Sequence, residues 1–73
     1  MRIRLNGQWR ELGGEWLPEG AEPSLERVLR GLGFAGAAIA TALNGEFVPA
    51  RSRAQQPVRE GDLIEVLSPM QGG

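Results

Sequence analysis

Two Asn-Gly pairs constrain the fold of this chain more than any other feature. Asn6-Gly7 and Asn44-Gly45 each follow a strand-like run directly. This dipeptide favours the positive backbone angles of a two-residue type I′ turn, so each pair predicts a β-hairpin. The first hairpin is expected to join Met1–Leu5 to Gln8–Leu12. The second is expected to join Ala37–Leu43 to a short return strand that starts just after the turn.

One amphipathic helix is predicted between the two hairpins. Pro23 lacks a backbone donor, and Ser24 is a suitable N-cap because its hydroxyl can accept an N–H of the first turn. Four apolar residues then follow at helical spacing on one face: Leu25, Val28, Leu29 and Leu32. This stripe needs a sheet face to cover it.

The remaining pattern predicts an α+β domain. Leu63–Leu67 is the most hydrophobic run and is expected at the centre of the sheet, buried on both faces. In the third strand the alternating alanines from Ala38 to Ala42 would permit close approach of the helix. A short helical turn is expected near Ser52, after Pro49 stops the fourth strand. One helix packed across a mixed sheet of four to five strands would bury both the apolar stripe of the helix and the apolar face of the sheet.

Three side chains outside this core pattern are candidates for surface roles. Trp16 lies in a Gly- and Pro-rich connection and is expected to fold back over the core, with a partner contact as the alternative. Arg51 and Arg53 form the densest positive charge of the chain. Glu46 and Glu60 are near enough in sequence to favour surface ion pairs with them, and partner docking is the alternative.

The composition excludes several classes of function. The 73 residues include neither Cys nor His, so the chain lacks a thiol nucleophile, common metal ligands and the usual proton-transfer group. We therefore expect no enzyme, no metal and no bound cofactor. A net charge of −1 opposes nucleic-acid binding, and no apolar run is long enough to span a membrane. Because the first residues lack a signal-peptide pattern, we expect a cytoplasmic protein.

The last residues supply the reactive group that the rest of the chain lacks. Pro69 stops the final strand, so a body of residues 1–67 is expected to carry a flexible tail of residues 68–73. Gly72 and Gly73 have no Cβ and can enter a narrow channel of a partner. Their alternative interpretation is an ordinary frayed terminus. A carboxylate is a poor electrophile that this chain could not improve, so an activating site would belong to a partner.

Three segments taken together resemble a known family. They are Ala-Leu-Asn-Gly-Glu-Phe-Val-Pro at 42–49, Glu-Gly-Asp-Leu-Ile-Glu-Val-Leu at 60–67, and the terminal Gly72-Gly73. With the order of strands and helix, they are similar to the ubiquitin-like β-grasp fold and to the ThiS-type sulfur carriers of thiamine biosynthesis. The resemblance covers nearly the whole chain. Its specific part is the combination of the Asn-Gly hairpin ending in Val-Pro, the Gly-Asp turn, the hydrophobic strand and the terminal Gly-Gly.

This resemblance implies a carrier cycle. An adenylating enzyme related to the ubiquitin-activating enzymes would consume ATP to activate the Gly73 carboxylate. A sulfur donor protein would then supply the sulfur that converts Gly73 to a thiocarboxylate. Thiazole synthase would then take the sulfur. The family pattern places the partner-binding surface on the exposed sheet face, with Leu67 and Phe47 as candidates. Three residues would guide the tail into the partner: Met70, Gln71 and Gly72.

Three other functions stay open from the sequence. The small subunit of molybdopterin synthase resembles this fold, ends in Gly-Gly and carries a thiocarboxylate in another pathway. A ubiquitin-like protein modifier would be joined to target amines through Gly73, although the chain has no Lys to accept a copy of itself. A binding-only β-grasp domain would carry an incidental tail. The short chain and the Asn-Gly-Glu-Phe-Val-Pro segment favour the thiamine carrier.

Overall fold

Five strands, one α-helix and one 3-10 helix form the described part of the folded body. The computed structural model describes residues 1–13, 22–34 and 38–68. In chain order the elements are β1 (Arg2–Leu5), β2 (Gln8–Glu11), α1 (Leu25–Gly31), β3 (Ala40–Leu43), β4 (Glu46–Val48), the 3-10 helix (Ala50–Gln55) and β5 (Leu63–Leu67).

The last strand, β5, lies at the centre of one mixed sheet, as predicted. The strand order is β2-β1-β5-β3-β4. β1 runs parallel to β5, whereas the other neighbouring pairs are antiparallel. The predicted α+β arrangement, with one helix on a mixed sheet, is confirmed with five strands. β2 and β4 are the two edge strands, so each hairpin contributes one edge.

Both Asn-Gly turns have the predicted hairpin geometry. The backbone φ is +50° at Asn6 and +87° at Gly7, and it is +51° at Asn44 and +86° at Gly45. Positive φ at both central residues is the requirement of a type I′ turn, whose twist matches that of the strands. Each turn places its flanking residues directly opposite each other. The turns therefore fix which side chains share a face.

Helix α1 begins where the Ser24 cap predicts. Ser24 Oγ accepts a hydrogen bond from the Arg27 N–H at 3.1 Å, which satisfies a donor of the first turn. Three residues of the predicted stripe are buried and the fourth packs against them in part: Leu25, Val28, Leu29 and Leu32. After the helix, Gly33 takes a positive φ of +96°. A glycine is suited to that left-handed conformation, so the helix ends here.

The hydrophobic core lies between α1 and one face of the sheet. Its buried members are Ile3, Leu5, Leu12, Leu25, Val28, Leu29, Leu43, Val48, Val58, Ile64 and Val66. From β5 only Ile64 and Val66 belong to it, whereas Leu63 is half-buried and Leu67 is exposed. The predicted burial of β5 on both faces is therefore wrong. In the described part of the chain, α1 covers one face only.

The alanines of the third strand point away from the helix. Thr41 and Leu43 are buried toward the core, Ala38 and Ala40 are exposed, and Ala42 is half-buried. The expectation that alanines let the helix approach closely is wrong, because the hairpin register turns the larger side chains inward. The strand begins at Ala40, three residues later than predicted. Of those three residues, 37 lies outside the described ranges.

Arg53 connects the 3-10 helix to β3. Its Nε donates to Thr41 Oγ1 at 3.1 Å, and its Nη2 donates to the Ile39 carbonyl oxygen at 2.7 Å. The expectation that Arg53 pairs with Glu46 or Glu60 is wrong, because acceptors of the third-strand segment take these donors. Arg53 is thus part of the folded body.

Other predictions can be placed by position alone. Ser52 lies inside the 3-10 helix, which confirms the short helical turn expected there. Trp16, expected to cover the core, lies outside the described residues, as do the tail residues from 69 onward. No helix within the described ranges is long and apolar enough to cross a membrane.

Candidate docking face and carrier terminus

The sheet face away from α1 carries exposed side chains; we call it the open face. Strand alternation and register arrange these side chains in rows across neighbouring strands. The rows are Phe47–Ala42–Glu65, Leu67–Ala40 and Trp9–Arg4–Leu63. The open face has an apolar half on β3, β4 and the end of β5. Its charged half lies on β1 and β2.

Phe47 and Leu67 dominate the apolar half. Their side chains are 70% and 71% exposed, respectively. The residues between them are small, so a shallow groove forms there, with Ala40 and Ala42 in its lining. Exposed apolar side chains beside a groove are typical of binding surfaces. Both residues nominated from the sequence thus lie outside the core, and their contact with a partner stays a prediction.

The charged half is organised by Trp9. The Arg2 guanidinium carbon lies 4.5 Å from the centre of the Trp9 ring, and that of Arg4 lies 5.6 Å away. These distances are typical of cation–π contacts, which hold the three side chains together although Trp9 is 53% exposed. Sequence reasoning missed this cluster. The hairpin register, which puts Arg4 directly opposite Trp9, is the signal that could have found it.

Strand β5 ends at the border of the open face. Leu67, the last residue of β5, pairs with Ala40 of β3. A second groove lies beside Leu67 and Ser68, with Ala38 in its lining. The predicted tail residues follow from this point and lie outside the described ranges: Met70, Gln71, Gly72 and Gly73.

Both hairpin asparagines also bond β5 through their side chains. Asn6 Oδ1 accepts the Val66 N–H at 2.9 Å, and Asn6 Nδ2 donates to the Val66 carbonyl oxygen at 3.3 Å. Asn44 Oδ1 accepts the Leu63 N–H at 2.9 Å. Sequence reasoning missed these bonds, because the turn alone already accounted for each Asn-Gly pair.

Charged side chains of the described residues form ion pairs at the surface. The described residues hold no cluster of three or more His, Cys, Asp or Glu side chains that could bind a metal ion. The Glu22 carboxylate, 2.6 Å from Arg59 Nε, raises the pKa of that exposed guanidinium by hydrogen bonding and charge attraction. A raised pKa keeps the Arg59 guanidinium charged near neutrality.

A mixed sheet with one helix and an open apolar face defines this body as a small β-grasp domain. The family model described as the ThiS family matches residues 3–73. That range includes both hairpins, all of β5 and the terminal Gly72-Gly73. The chain therefore belongs to the ThiS family.

Relatives over the full length agree with this assignment. Sulfur carrier protein ThiS of Thermus thermophilus is 36% identical over 71 residues, which are 97% of this chain and 98% of that protein. The crystal structure of thiamine biosynthesis protein ThiS from Geobacter metallireducens matches over both whole chains, with a TM-score of 0.74 and 29% identity. A solution structure of a thiamine biosynthesis protein from that organism gives a TM-score of 0.76 and 26% identity, over all of this chain and 88% of the other. The predicted β-grasp fold is confirmed.

Proposed function

We propose that this chain is a sulfur carrier of thiamine biosynthesis and that the Gly73 carboxylate carries the sulfur as a thiocarboxylate. The observation that carries this proposal is the family match over residues 3–73, which reaches the terminal Gly72-Gly73. The sulfur carrier of Thermus thermophilus, 98% of whose length aligns with this chain, supports the same function.

A partner must activate the carboxylate, because a carboxylate at neutral pH is a poor electrophile. In the proposed cycle an adenylating enzyme consumes ATP: a Gly73 oxygen attacks the α-phosphorus, and pyrophosphate leaves. The outer sulfur of a persulfide on a donor protein then attacks the acyl carbon, and AMP leaves with that oxygen. A thiol next attacks the donor-side sulfur of the acyl disulfide, which releases the thiocarboxylate and leaves a disulfide on the donor. Thiazole synthase takes the sulfur from the resulting thiocarboxylate. The chain itself binds no cofactor and serves as a substrate.

The open face brings these partners to the tail. Phe47 and Leu67 pack against the partner, while the tail enters its active site. Six residues from Ser68 to Gly73 reach at most about 20 Å when extended. Met70 and Gln71 guide this segment, and Gly72 lets it pass. The proposed location of this cycle is the cytoplasm.

Intact-mass measurement tests the carrier cycle directly. The full chain is incubated with its adenylating enzyme, ATP and a sulfur donor. We expect the mass to rise by the difference between one sulfur and one oxygen atom, since the thiocarboxylate keeps every other atom. Omission of ATP is the control and should leave the mass unchanged. An unchanged mass in the complete reaction would contradict the proposal.

A second measurement separates this pathway from molybdopterin synthesis. The chain carrying the thiocarboxylate is mixed with thiazole synthase and, in parallel, with a large subunit of molybdopterin synthase. We expect complex formation and loss of the sulfur with thiazole synthase only.

A variant without Gly73 should keep the melting temperature of the full chain but gain no sulfur, because its carboxylate lies one residue short.

A further inference from the structure

The backbone of β5 continues past the end of β1 on one side. In the parallel ladder between them, the Arg4 N–H donates to the Asp62 carbonyl oxygen and the Asn6 N–H donates to that of Ile64, each at 2.9 Å. The chain then turns away at Gly7, so β1 offers no further peptide group. Val66 is the next residue whose N–H and carbonyl face this side.

The Asn6 carboxamide takes the place of the missing peptide group. It accepts the Val66 N–H at 2.9 Å and donates to the Val66 carbonyl oxygen at 3.3 Å. A carboxamide has the same donor and acceptor as a peptide unit, so one side chain satisfies both groups. On the other side of β5, Val66 and Leu67 are paired with Thr41 and Ala40 of β3. The last residues of β5 are thus held from both sides.

We propose that Asn6 is a positioning residue for the carrier reaction: its bridge to Val66 fixes the direction in which the tail leaves the body. This inference rests on the proposed function, because the direction matters only if a partner must receive Gly73. Val66 is two residues before Ser68, where the tail begins. Without the bridge, the end of β5 would be held by β3 alone and could pivot about that edge.

The other hairpin provides a matched contrast. Asn44 has the same positive φ as Asn6, within one degree, and its side chain also bonds the β5 backbone. Its partner, however, is Leu63, the first residue of the strand, and its Nδ2 donates to Asp62 Oδ1 at 3.1 Å. Loss of the Asn44 bonds should therefore loosen the start of β5 and leave the root of the tail unchanged.

The variants Asn6→Gly and Asn44→Gly test this difference. Glycine tolerates the positive φ of either turn, so each substitution removes the side-chain bonds without straining the turn. In the free full-length protein, ¹⁵N relaxation should give lower order parameters S² for the backbone N–H groups of Leu67 and Ser68 in Asn6→Gly than in the wild type. The expected fall is from about 0.85, typical of a rigid backbone, toward about 0.6 or below. Asn44→Gly should match the wild type at these two residues.

Kinetics with the adenylating enzyme give a second readout. For Asn6→Gly we expect kcat to fall on the order of tenfold, because the loosened root of the tail presents Gly73 less well. That loss is within the roughly 100-fold that a misplacement of about 1 Å can cost. KM should change less, because Phe47 lies on β4 and keeps its position while Leu67 loosens with the end of β5. Asn44→Gly should keep the wild-type kcat at a temperature where both variants are folded.

Equal order at Leu67 and Ser68, or equal kcat, in the two variants would overturn the inference. If Asn6→Gly does not fold, Asn6→Asp replaces it and is compared with Asn44→Asp. Aspartate keeps the acceptor for the Val66 N–H but places a carboxylate oxygen against the Val66 carbonyl, so the same difference is expected. A wild-type chain that is not adenylated would instead reject the proposed function, and the relaxation result would still decide whether Asn6 orders the root of the tail.

Discussion

The two faces of the sheet come from the same strands but differ in what covers them. Along β5, Ile64 is fully buried under α1 and Val66 is 6% exposed, whereas Leu67 on the other face is 71% exposed. Since successive side chains of a strand point to opposite faces, neighbouring residues can have unrelated tasks. The comparison teaches that residues of the core and residues left to solvent alternate one by one along the same strand.

Size makes this alternation useful. A chain of this length is expected to have a free energy of unfolding of only about 4–11 kcal/mol. Every residue of the core face therefore matters for folding. On the open face, Phe47 and Leu67 keep most of their surface in water, so they contribute little to folding. These two residues can serve a partner without a large loss of stability when they change.

The largest expected effect is on stability and comes from Ile64. Ile64→Ala should lower the free energy of unfolding by about 2–5 kcal/mol, because it leaves a cavity in a closed core. That is up to the whole stability of the domain. Leu67→Ala, on the same strand, should cost less than about 1 kcal/mol, because its side chain is largely exposed. Urea denaturation of both variants measures the difference.

Similar losses in the two variants would break the comparison of the faces. Such a result would mean that Leu67 is covered within the folded protein. Ile64→Val is the milder control: it removes one methylene group and should cost about 0.5–1.5 kcal/mol.

The second prediction concerns binding and compares the two halves of the open face. Phe47→Ala should weaken the complex with the adenylating enzyme by about 2 kcal/mol, or roughly 30-fold in Kd, as expected for a buried aromatic contact. Trp9→Ala removes an exposed aromatic from the opposite edge of the sheet, far from β4. It should change Kd by less than about fivefold, since rim contacts contribute little.

Isothermal calorimetry with the purified enzyme would measure both values. Thermal unfolding should show that each variant is folded at the temperature used. A larger loss for Trp9→Ala would move the docking surface to the charged half, where Arg2 and Arg4 contact the ring.

Much of the fold could be predicted because its signals are local. The Asn-Gly pairs, the Ser24 cap and the helical stripe each specify an element through neighbours within a few residues, and the structure has all of them. Such features depend on short-range geometry, which the sequence pattern records directly.

What the sequence did not reveal depends on contacts between distant segments. Alternation separates the alanines of the third strand from its larger residues, but it does not say which of the two sides the helix covers. Arg53 bonds the Ile39 carbonyl across 14 positions, and Asn6 bonds Val66 across 60. No local sequence pattern around an arginine or an asparagine predicts such a distant hydrogen-bond partner. These contacts follow only when the whole sheet is assembled.

The smallest expected effect comes from the cap of α1, on the side of the molecule away from the open face. Ser24→Ala should lower the free energy of unfolding by about 1 kcal/mol, because the Arg27 N–H loses its 3.1 Å acceptor. In a domain of this size that loss lowers the melting temperature by about 4–8 °C. Ser24→Asp, which can still accept the bond, should retain the wild-type value. Both variants should be adenylated at the wild-type rate while folded, since α1 covers the sheet face opposite to the one that exposes Phe47 and Leu67. A slower rate for folded Ser24→Ala would show that the core face also influences the partner.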